Sequence, residues 1–211
     1  MALHINKRGI RVLGIAESFK QGDKKSVLAG VVMRSDLVID GLAFGEVTVG
    51  GMDATDGVLH VFKSLQRADI NITMLNGCVI SWFNIIDIKQ VYEQTGVPLI
   101  CVTYEESRGL EEHIARHFEA DEERDSRIEA YKRLGNRVPV RVHDKYDVLI
   151  RFLGMEKDEA AAVLKKFTTH GSGKVPEPLR VAKIAARAAF KVLKAQVFLT
   201  PLTILYICSV L

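Results

Sequence analysis

The stretch at residues 50–65, GGMDATDGVLHVFKSL, is where the hydrophobic pattern of this chain changes period. Upstream, residues 12–15, 26–33 and 37–49 are dense in β-branched and aliphatic side chains, with Arg34, Ser35 and Asp36 at a turn between the last two. Downstream of the glycine pair, Val58, Leu59, Val61, Phe62 and Leu65 recur at helical spacing and make one apolar face. Three antiparallel strands followed by a helix are therefore expected. The pattern then predicts a strand at 70–75, a helix at 84–95 ended by Gly96 and Pro98, and a strand at 99–103. Strand, helix, strand, helix, strand from the third strand onward implies a mixed sheet with parallel members, an α/β fold.

After Tyr104 the chain turns helical and charged. Helices are expected at 109–118, 122–134 and 157–167, a short strand or two within 138–151, and a last helix at 179–194 after the loop HGSGKVPEP. Hydrophobic residues make up 48% of the 211 and charged ones 26%, enough to bury a core and too apolar for disorder. Residues 1–194 read as one α/β domain with a helical C-terminal half. Residues 195–211, AQVFLTPLTILYICSVL, carry no charge. That segment is shorter than the roughly 20 residues of a bilayer span and is interrupted by Pro201, so it reads as a core or interface segment, not a membrane anchor.

A net charge of +3 does not by itself imply nucleic acid, but the charge is segregated. Carboxylates dominate residues 105–129, whereas residues 174–194 hold six Lys or Arg against one Glu. Such a basic end suits an anionic partner. The three cysteines, Cys78, Cys101 and Cys208, have no metal-ligand spacing, and their odd number argues against a disulfide scaffold. The first residues lack a signal peptide's apolar stretch, and a reducing cytoplasm is the expected compartment.

Several polar residues could carry chemistry. Asp53 and Asp56 stand at a helix start, where one reading is capping and dipole compensation and the other is a divalent cation. Glu17 ends the first strand, and ligand sites of open α/β sheets gather outside the carboxyl ends of strands. If the first and fourth strands are parallel neighbours, the Asn76-Gly77 turn emerges beside Glu17. In NGCVISWFNIIDIKQV, Ser81, Asn84 and Asp87 are polar within an apolar run. Asn84 is expected to cap the following helix with Asp87 at its third position, and Trp82 and Phe83 read as core or as a stacking face for a base. His113 and His117 share a helix face but lack further ligands. HGSGKV lacks the spacing of a nucleotide-binding loop. Arg180, Lys183, Arg187, Lys191 and Lys194 form a basic stripe that fits either a solvated face or phosphate contacts.

The segments RVLGIAESF, SVLAGVVMRSDLVIDGLAFGEVTVGGMDATD, RADINITMLNGCVISWFNIIDI, TGVPLICVTYEES, YKRLGNR and PEPLRVAKIAARA, in order through residues 8–190, resemble the archaeal endonuclease-dU family, itself distantly similar to endonuclease V. The resemblance implies a ribonuclease H-like mixed sheet and a Mg2+- or Mn2+-dependent endonuclease acting on DNA with deaminated bases, deoxyuridine above all. In such folds carboxylates from the first strand, the first helix and the fourth strand hold the metals. Here Ala16 stands where endonuclease V has its first-strand Asp, so Glu17 would serve instead. Asp53 or Asp56 matches the helix carboxylate, with Glu46 competing for that place, and Asn76 replaces the Asp of the turn. The resemblance thus implies catalysis and metal binding at Glu17, Asp53 and Asp56, with Asp87 as a further ligand. Substrate contacts would come from Asn76, Gly77, Ser81, Asn84, Lys174 and Arg180. The leading expectation is a DNA-repair endonuclease. A catalytically inactive nucleic-acid- or nucleotide-binding protein on the same fold is the alternative, and a homodimeric scaffold built on the apolar tail is a third.

Overall fold

A computed structural model describes residues 9–105, 109–119, 121–143, 146–169, 171 and 173–208, with residues 196–208 described by backbone alone. Its main sheet has seven strands: β1 (Arg11–Ser18), β2 (Lys25–Arg34), β3 (Ile39–Thr48), β4 (Ile72–Leu75), β7 (Leu99–Thr103), β8 (Val138–Val142) and β9 (Tyr146–Leu153). A two-stranded ribbon, β5 (Val79–Ile80) and β6 (Asn84–Ile85), stands apart. Across the sheet the order is β3-β2-β1-β4-β7-β9-β8. As the sequence pattern predicts, β1, β2 and β3 are antiparallel and the sheet is mixed; the structure adds that β4 pairs parallel with both β1 and β7. The carboxyl ends of β1, β4 and β7 therefore share one rim.

Helices cover both faces. On one lie α1 (Ala54–Ser64), α2 (Ile88–Thr95), α3 (Glu111–His117) and α4 (Glu122–Arg133), over a core that includes Leu13, Ile15, Leu28, Val58, Val61 and Leu75. On the other lie α5 (Lys157–Phe167) and α6 (Glu177–Cys208), over Val12, Ile72, Met74, Ile100, Val163 and Phe167. Alternation along β1 sends odd-numbered residues to the first face and even-numbered ones to the second. Gly14 matters here: a Cβ at this position would lie 2.5 Å from the Pro178 backbone, so only glycine lets α6 approach β1 this closely.

Three expectations need correction. The helix expected at 84–95 begins only at Ile88, because Asn84 and Ile85 pair back on β5. The last helix does not stop near residue 194 but continues past Pro201 to Cys208; an interior proline removes one hydrogen bond and crowds one carbonyl, a local cost that need not end a helix. Cys78 and Cys101 are joined as a disulfide with Cα atoms 6.2 Å apart, so the odd count left one bridge and Cys208 as the remainder. Closing that loop stabilises the fold by about 3 kcal/mol. Among the described residues, no helix is long and apolar enough to cross a membrane.

At the opposite rim, an ionic network ties β1, β3 and the connection from α1 to β4. Arg11 Nε lies 2.5 Å from Asp40 and 3.3 Å from Asp69, while Arg67 pairs with Asp40 at 3.0 Å and with Asp69 at 2.8 Å. Hydrogen bonding from Arg67 holds the Asp69 carboxyl down at about 2, and bonds from Arg11 and then Arg67 hold Asp40 below its ordinary value. Carboxyls lowered in the folded state stabilise it fully above their unfolded pKa, near 3.9, and lose that contribution as the pH falls through the folded value. Urea denaturation should therefore show a lower midpoint for Asp69→Asn at neutral pH, and a shallower loss for it than for the wild type between about pH 5 and about pH 2. Identical acid limbs would exclude the network as their cause. A separate check concerns the bridge: thiol titration of the denatured chain should give one thiol without reductant and three after reduction.

Candidate active site

Glu17, at the end of β1, is 8% exposed. Its Oε1 lies 3.3 Å from Lys183 Nζ on α6, and its Oε2 is buried with no hydrogen-bond partner. Beside it is a cavity of about 10 Å³, lined by Glu17, Ile15, Asn76, Gly77, Ile80 and Ile86 among others. That is room for about one water or ion. Asn76 is anchored there by its backbone N–H, which donates to the Ile15 carbonyl at 3.0 Å. Gly77, at φ +93°, turns the chain in a conformation that side-chain-bearing residues rarely adopt. On the outer side of this turn opens a cleft of about 270 Å³, lined by Asn76, Gly77, Val102, Thr103, Tyr104 and Glu105. Lys174 braces it by donating from Nζ to the Tyr104 carbonyl at 2.6 Å.

Asp53 and Asp56 open α1 at the same end of the sheet, but they have other surroundings. Asp53 occupies the N-cap position without making a side-chain cap bond. Its carboxylate instead accepts from Thr48 N at 3.0 Å, Thr48 Oγ1 at 2.8 Å and Asn84 Nδ2 at 2.7 Å. Burial opposes its charge, yet donation from Asn84 and Thr48 outweighs burial and leaves the carboxyl below its ordinary value. The cap is supplied from a distance: Asn84 Oδ1 accepts from Ala54 N at 2.9 Å, and Asn84 Nδ2 also reaches the Thr48 carbonyl at 2.9 Å. Asn84 thus caps α1, not the helix that follows it. Asp87 is itself the N-cap of α2, accepting from Gln90 N at 3.0 Å. Asp56 is an exposed first-turn residue.

Glu17, Asp53, Asp56 and Asp87 are consequently not gathered into one donor set. Among the described residues, no group of three or more His, Cys, Asp or Glu could hold a metal ion. A smaller donor set remains. The unpartnered Oε2 of Glu17 and Asn76 both line the small cavity, whose other walls are mainly aliphatic. One carboxylate suits magnesium, which commonly takes one or two, but the rest of its shell would have to come from water and substrate phosphate at the open rim, because the cavity itself holds about one water.

Between the two helix starts stands the β5–β6 turn. Ser81, Trp82 and Phe83 take φ of 44°, 62° and 60°, three left-handed residues in succession. Such backbone costs of order 1–3 kcal/mol per residue and persists where surrounding structure imposes it. Arg127, fully buried on α4, does so: it donates to the carbonyls of Gly50 (2.8 Å), Gly51 (2.7 Å) and Phe83 (2.7 Å), and pairs with Glu123 at 2.7 Å. Gly50 N in turn donates to the Ser81 carbonyl at 2.7 Å. Trp82 and Phe83 are half-buried, with His117 packed on both at ring-centroid distances of 5.1 and 5.4 Å. Ser81 is buried and its hydroxyl has no hydrogen-bond partner.

The basic stripe is largely spent on pairing. Arg180 pairs with Glu177 at 2.6 Å, Lys183 with Glu17, and Lys194 with Asp23 at 2.6 Å, leaving Arg187 and Lys191 exposed. In the loop before α6, His170 and Ser172 lie outside the described residues. Sequence reasoning missed Lys183 and Arg127 as functional or organising residues. Lys183 was visible as one member of the stripe, but its partner lies 166 residues away, and nothing in the charge-rich α4 sequence marks Arg127 as buried.

Comparison with known proteins agrees with this architecture. A Pyrobaculum aerophilum UPF0215 protein is 38% identical over 182 residues, covering 86% of this chain and 95% of its own. A solved Archaeoglobus fulgidus protein of unknown function superposes with a TM-score of 0.72 at 28% identity, over 85% of this chain and 98% of that one. Ciona intestinalis endonuclease V, solved in complex with a 24mer DNA containing an inosine followed by a ribo-adenosine, matches with a TM-score of 0.58 at 14% identity, over 88% and 87% of the two chains. The mixed sheet is thus ribonuclease H-like, with endonuclease V as a structural neighbour. The family model described as endonuclease dU matches residues 8–190, and with the Pyrobaculum relative it establishes that this chain belongs to the endonuclease dU family.

Proposed function

We propose that this protein is a divalent-cation-dependent DNA endonuclease acting at or near deaminated bases such as deoxyuridine. The observation that carries the reading is the buried, unpartnered Oε2 of Glu17 at the rim where β1, β4 and β7 end. Family membership supports a nuclease, and the likeness to a DNA-bound endonuclease V supports nucleic acid as partner.

In this reading Glu17 holds a Mg2+ or Mn2+ ion, and Asn76 orients a water or phosphate oxygen beside it. A cation bound there would activate water and stabilise the leaving oxygen of a phosphodiester. Gly77, without a side chain, lets the backbone of the turn come close to substrate. The outer cleft, about 270 Å³, has space for a base taken out of the stack, with Asn76 and Thr103 presenting polar groups to it. Deaminated bases leave a duplex at low cost because their pairing is impaired, which is one source of selectivity. Arg187 and Lys191, exposed on α6, supply phosphate contacts that weaken with salt. Asp53 and Asn84 act one step back, by building the start of α1.

A second reading is favoured by one specific observation: among the described residues no group of three or more His, Cys, Asp or Glu could hold a metal ion, and Ala16 and Asn76 are uncharged where the resemblance to endonuclease V implies carboxylates. It makes the chain a nucleic-acid-binding protein that does not cut.

A labelled uracil-containing duplex separates these readings. Nicking with manganese, reduced at least about 100-fold by Glu17→Gln with the melting temperature held, is the result expected of a catalytic ligand. Retention of the duplex without nicking would select the binding-only reading. Asp53→Asn should behave differently. It places an amide against the Thr48 and Asn84 donors and is expected to cost about 1–3 kcal/mol of stability in a denaturant titration, with nicking by the folded fraction reduced far less than by Glu17→Gln. A stable Asp53→Asn protein devoid of nicking would return Asp53 to the catalytic set.

A further inference from the structure

Glu17 and Lys183 form a pair whose two halves are held with unequal firmness. The backbone beneath Lys183 is fixed. Pro178 sits against Gly14, and Ala182 is fully buried against Ala16 and Val31, so α6 is seated closely on β1. The lysine side chain, in contrast, is 31% exposed and reaches the rim on a flexible four-carbon stem. Glu17 is the buried partner, and burial of a carboxylate is costly unless a counter-charge is present. Lys183 Nζ, 3.3 Å from Oε1, supplies that charge, while Oε2 has no hydrogen-bond partner and Glu17 borders the small cavity that Asn76 also lines.

An ammonium and a divalent cation cannot share one carboxylate without mutual repulsion, which is strong at separations near 4 Å away from bulk water. We propose that Lys183 is a displaceable internal counter-ion: it neutralises Glu17 in the free protein, yields to a divalent cation, and then turns its ammonium toward the substrate phosphate. This rests on Glu17 being the cation ligand. Two consequences follow from the charges alone. The free protein binds the cation weakly, because the ion must replace an existing ion pair. Nucleic acid strengthens cation binding, because a phosphate gives the released ammonium a new partner, and by linkage the cation strengthens nucleic-acid binding by the same factor.

Manganese binding to the full chain, measured by electron paramagnetic resonance or calorimetry with no nucleic acid present, tests this without reference to cleavage. Lys183→Met and Lys183→Gln should each tighten Mn2+ by about tenfold or more, Lys183→Arg should stay within about threefold of wild type, and Glu17→Gln should lose the site. Thermal melts identify any variant that fails to fold, and the Met and Gln variants back each other. Unchanged or weaker Mn2+ binding in both neutral variants overturns the proposal, as does a site that survives Glu17→Gln. The two readings fail separately. Tighter Mn2+ in the neutral variants with no nicking by the wild type refutes the endonuclease and keeps the counter-ion, whereas nicking by the wild type with no gain in Mn2+ affinity in the variants refutes only the counter-ion.

Discussion

The close approach of α6 to β1 at Gly14 and Pro178 is the constraint on which the arrangement of the rim depends. A methyl group at Gly14 would meet the Pro178 backbone, which has little freedom to give way. With the helix seated that deeply, Ala182 and Ala186 are fully buried beneath it. One residue beyond Ala182, Lys183 is carried past the end of β1 and meets Glu17; further along, Lys194 meets Asp23 in the turn between β1 and β2. Small residues at the contact and long cations beyond it are parts of one device. The former set the depth of the helix, and the latter use that depth to reach two largely buried carboxylates, Glu17 at the end of β1 and Asp23 in the turn after it.

A second layer of organisation is polar and lies on the opposite face. Helix α1 starts where no local side chain caps it, and its first N–H is satisfied by Asn84 from 30 residues away. Asp53, at the cap position, turns its carboxylate to Thr48 at the end of β3 and to Asn84. Arg127 then ties the glycine pair and the left-handed turn at Ser81–Phe83 to α4. Each of these groups satisfies a backbone atom that would otherwise be buried without a partner, at a cost of about 1–3 kcal/mol apiece. Rigidity at the rim therefore comes from interlocked polar groups as much as from the apolar core.

The division between what could be read from residues and what could not follows from the range of the interactions. The three antiparallel strands, α1, the presence of parallel members in the sheet, and α5 over its full length were legible, because hydrophobic period, turn residues and strand–helix alternation are local signals. The nearness of Glu17 and the Asn76 turn was conditional on β1 and β4 being parallel neighbours, a pairing that chain order leaves open and the sheet supplies. The start of α2 was not legible. Asn84 looks like a helix cap in sequence, and only tertiary structure assigns it to a different helix. The supposed carboxylate cluster dissolved in the same way, since Asp53, Asp56 and Asp87 all sit at helix starts, where capping, dipole compensation and metal binding use the same residue type. Cys78 and Cys101 likewise depend on a distance that no spacing rule contains.

Moving an acidic residue by one position along β1 has a larger effect than the spacing suggests. Successive side chains point to opposite faces of a sheet, so Ala16 lies against Ala182 on the α6 side, while Glu17 borders a cavity walled by Ile15, Leu28 and Leu75 of the α1 side. An acid at position 16 would lie directly under α6. At position 17 it lies at the carboxyl end of an interior strand, where a long side chain from α6 reaches it. Lys183 is such a side chain. The neutral Ala16, the acidic Glu17 and the cation on α6 are thus mutually consistent: with the carboxylate on the α1 face, an alanine suits the helix contact, and a lysine suits the charge at the rim. Asn76, uncharged, keeps a second carboxylate away from a place already neutralised by that lysine, so one pair and one amide occupy the space where a cluster of acids was expected.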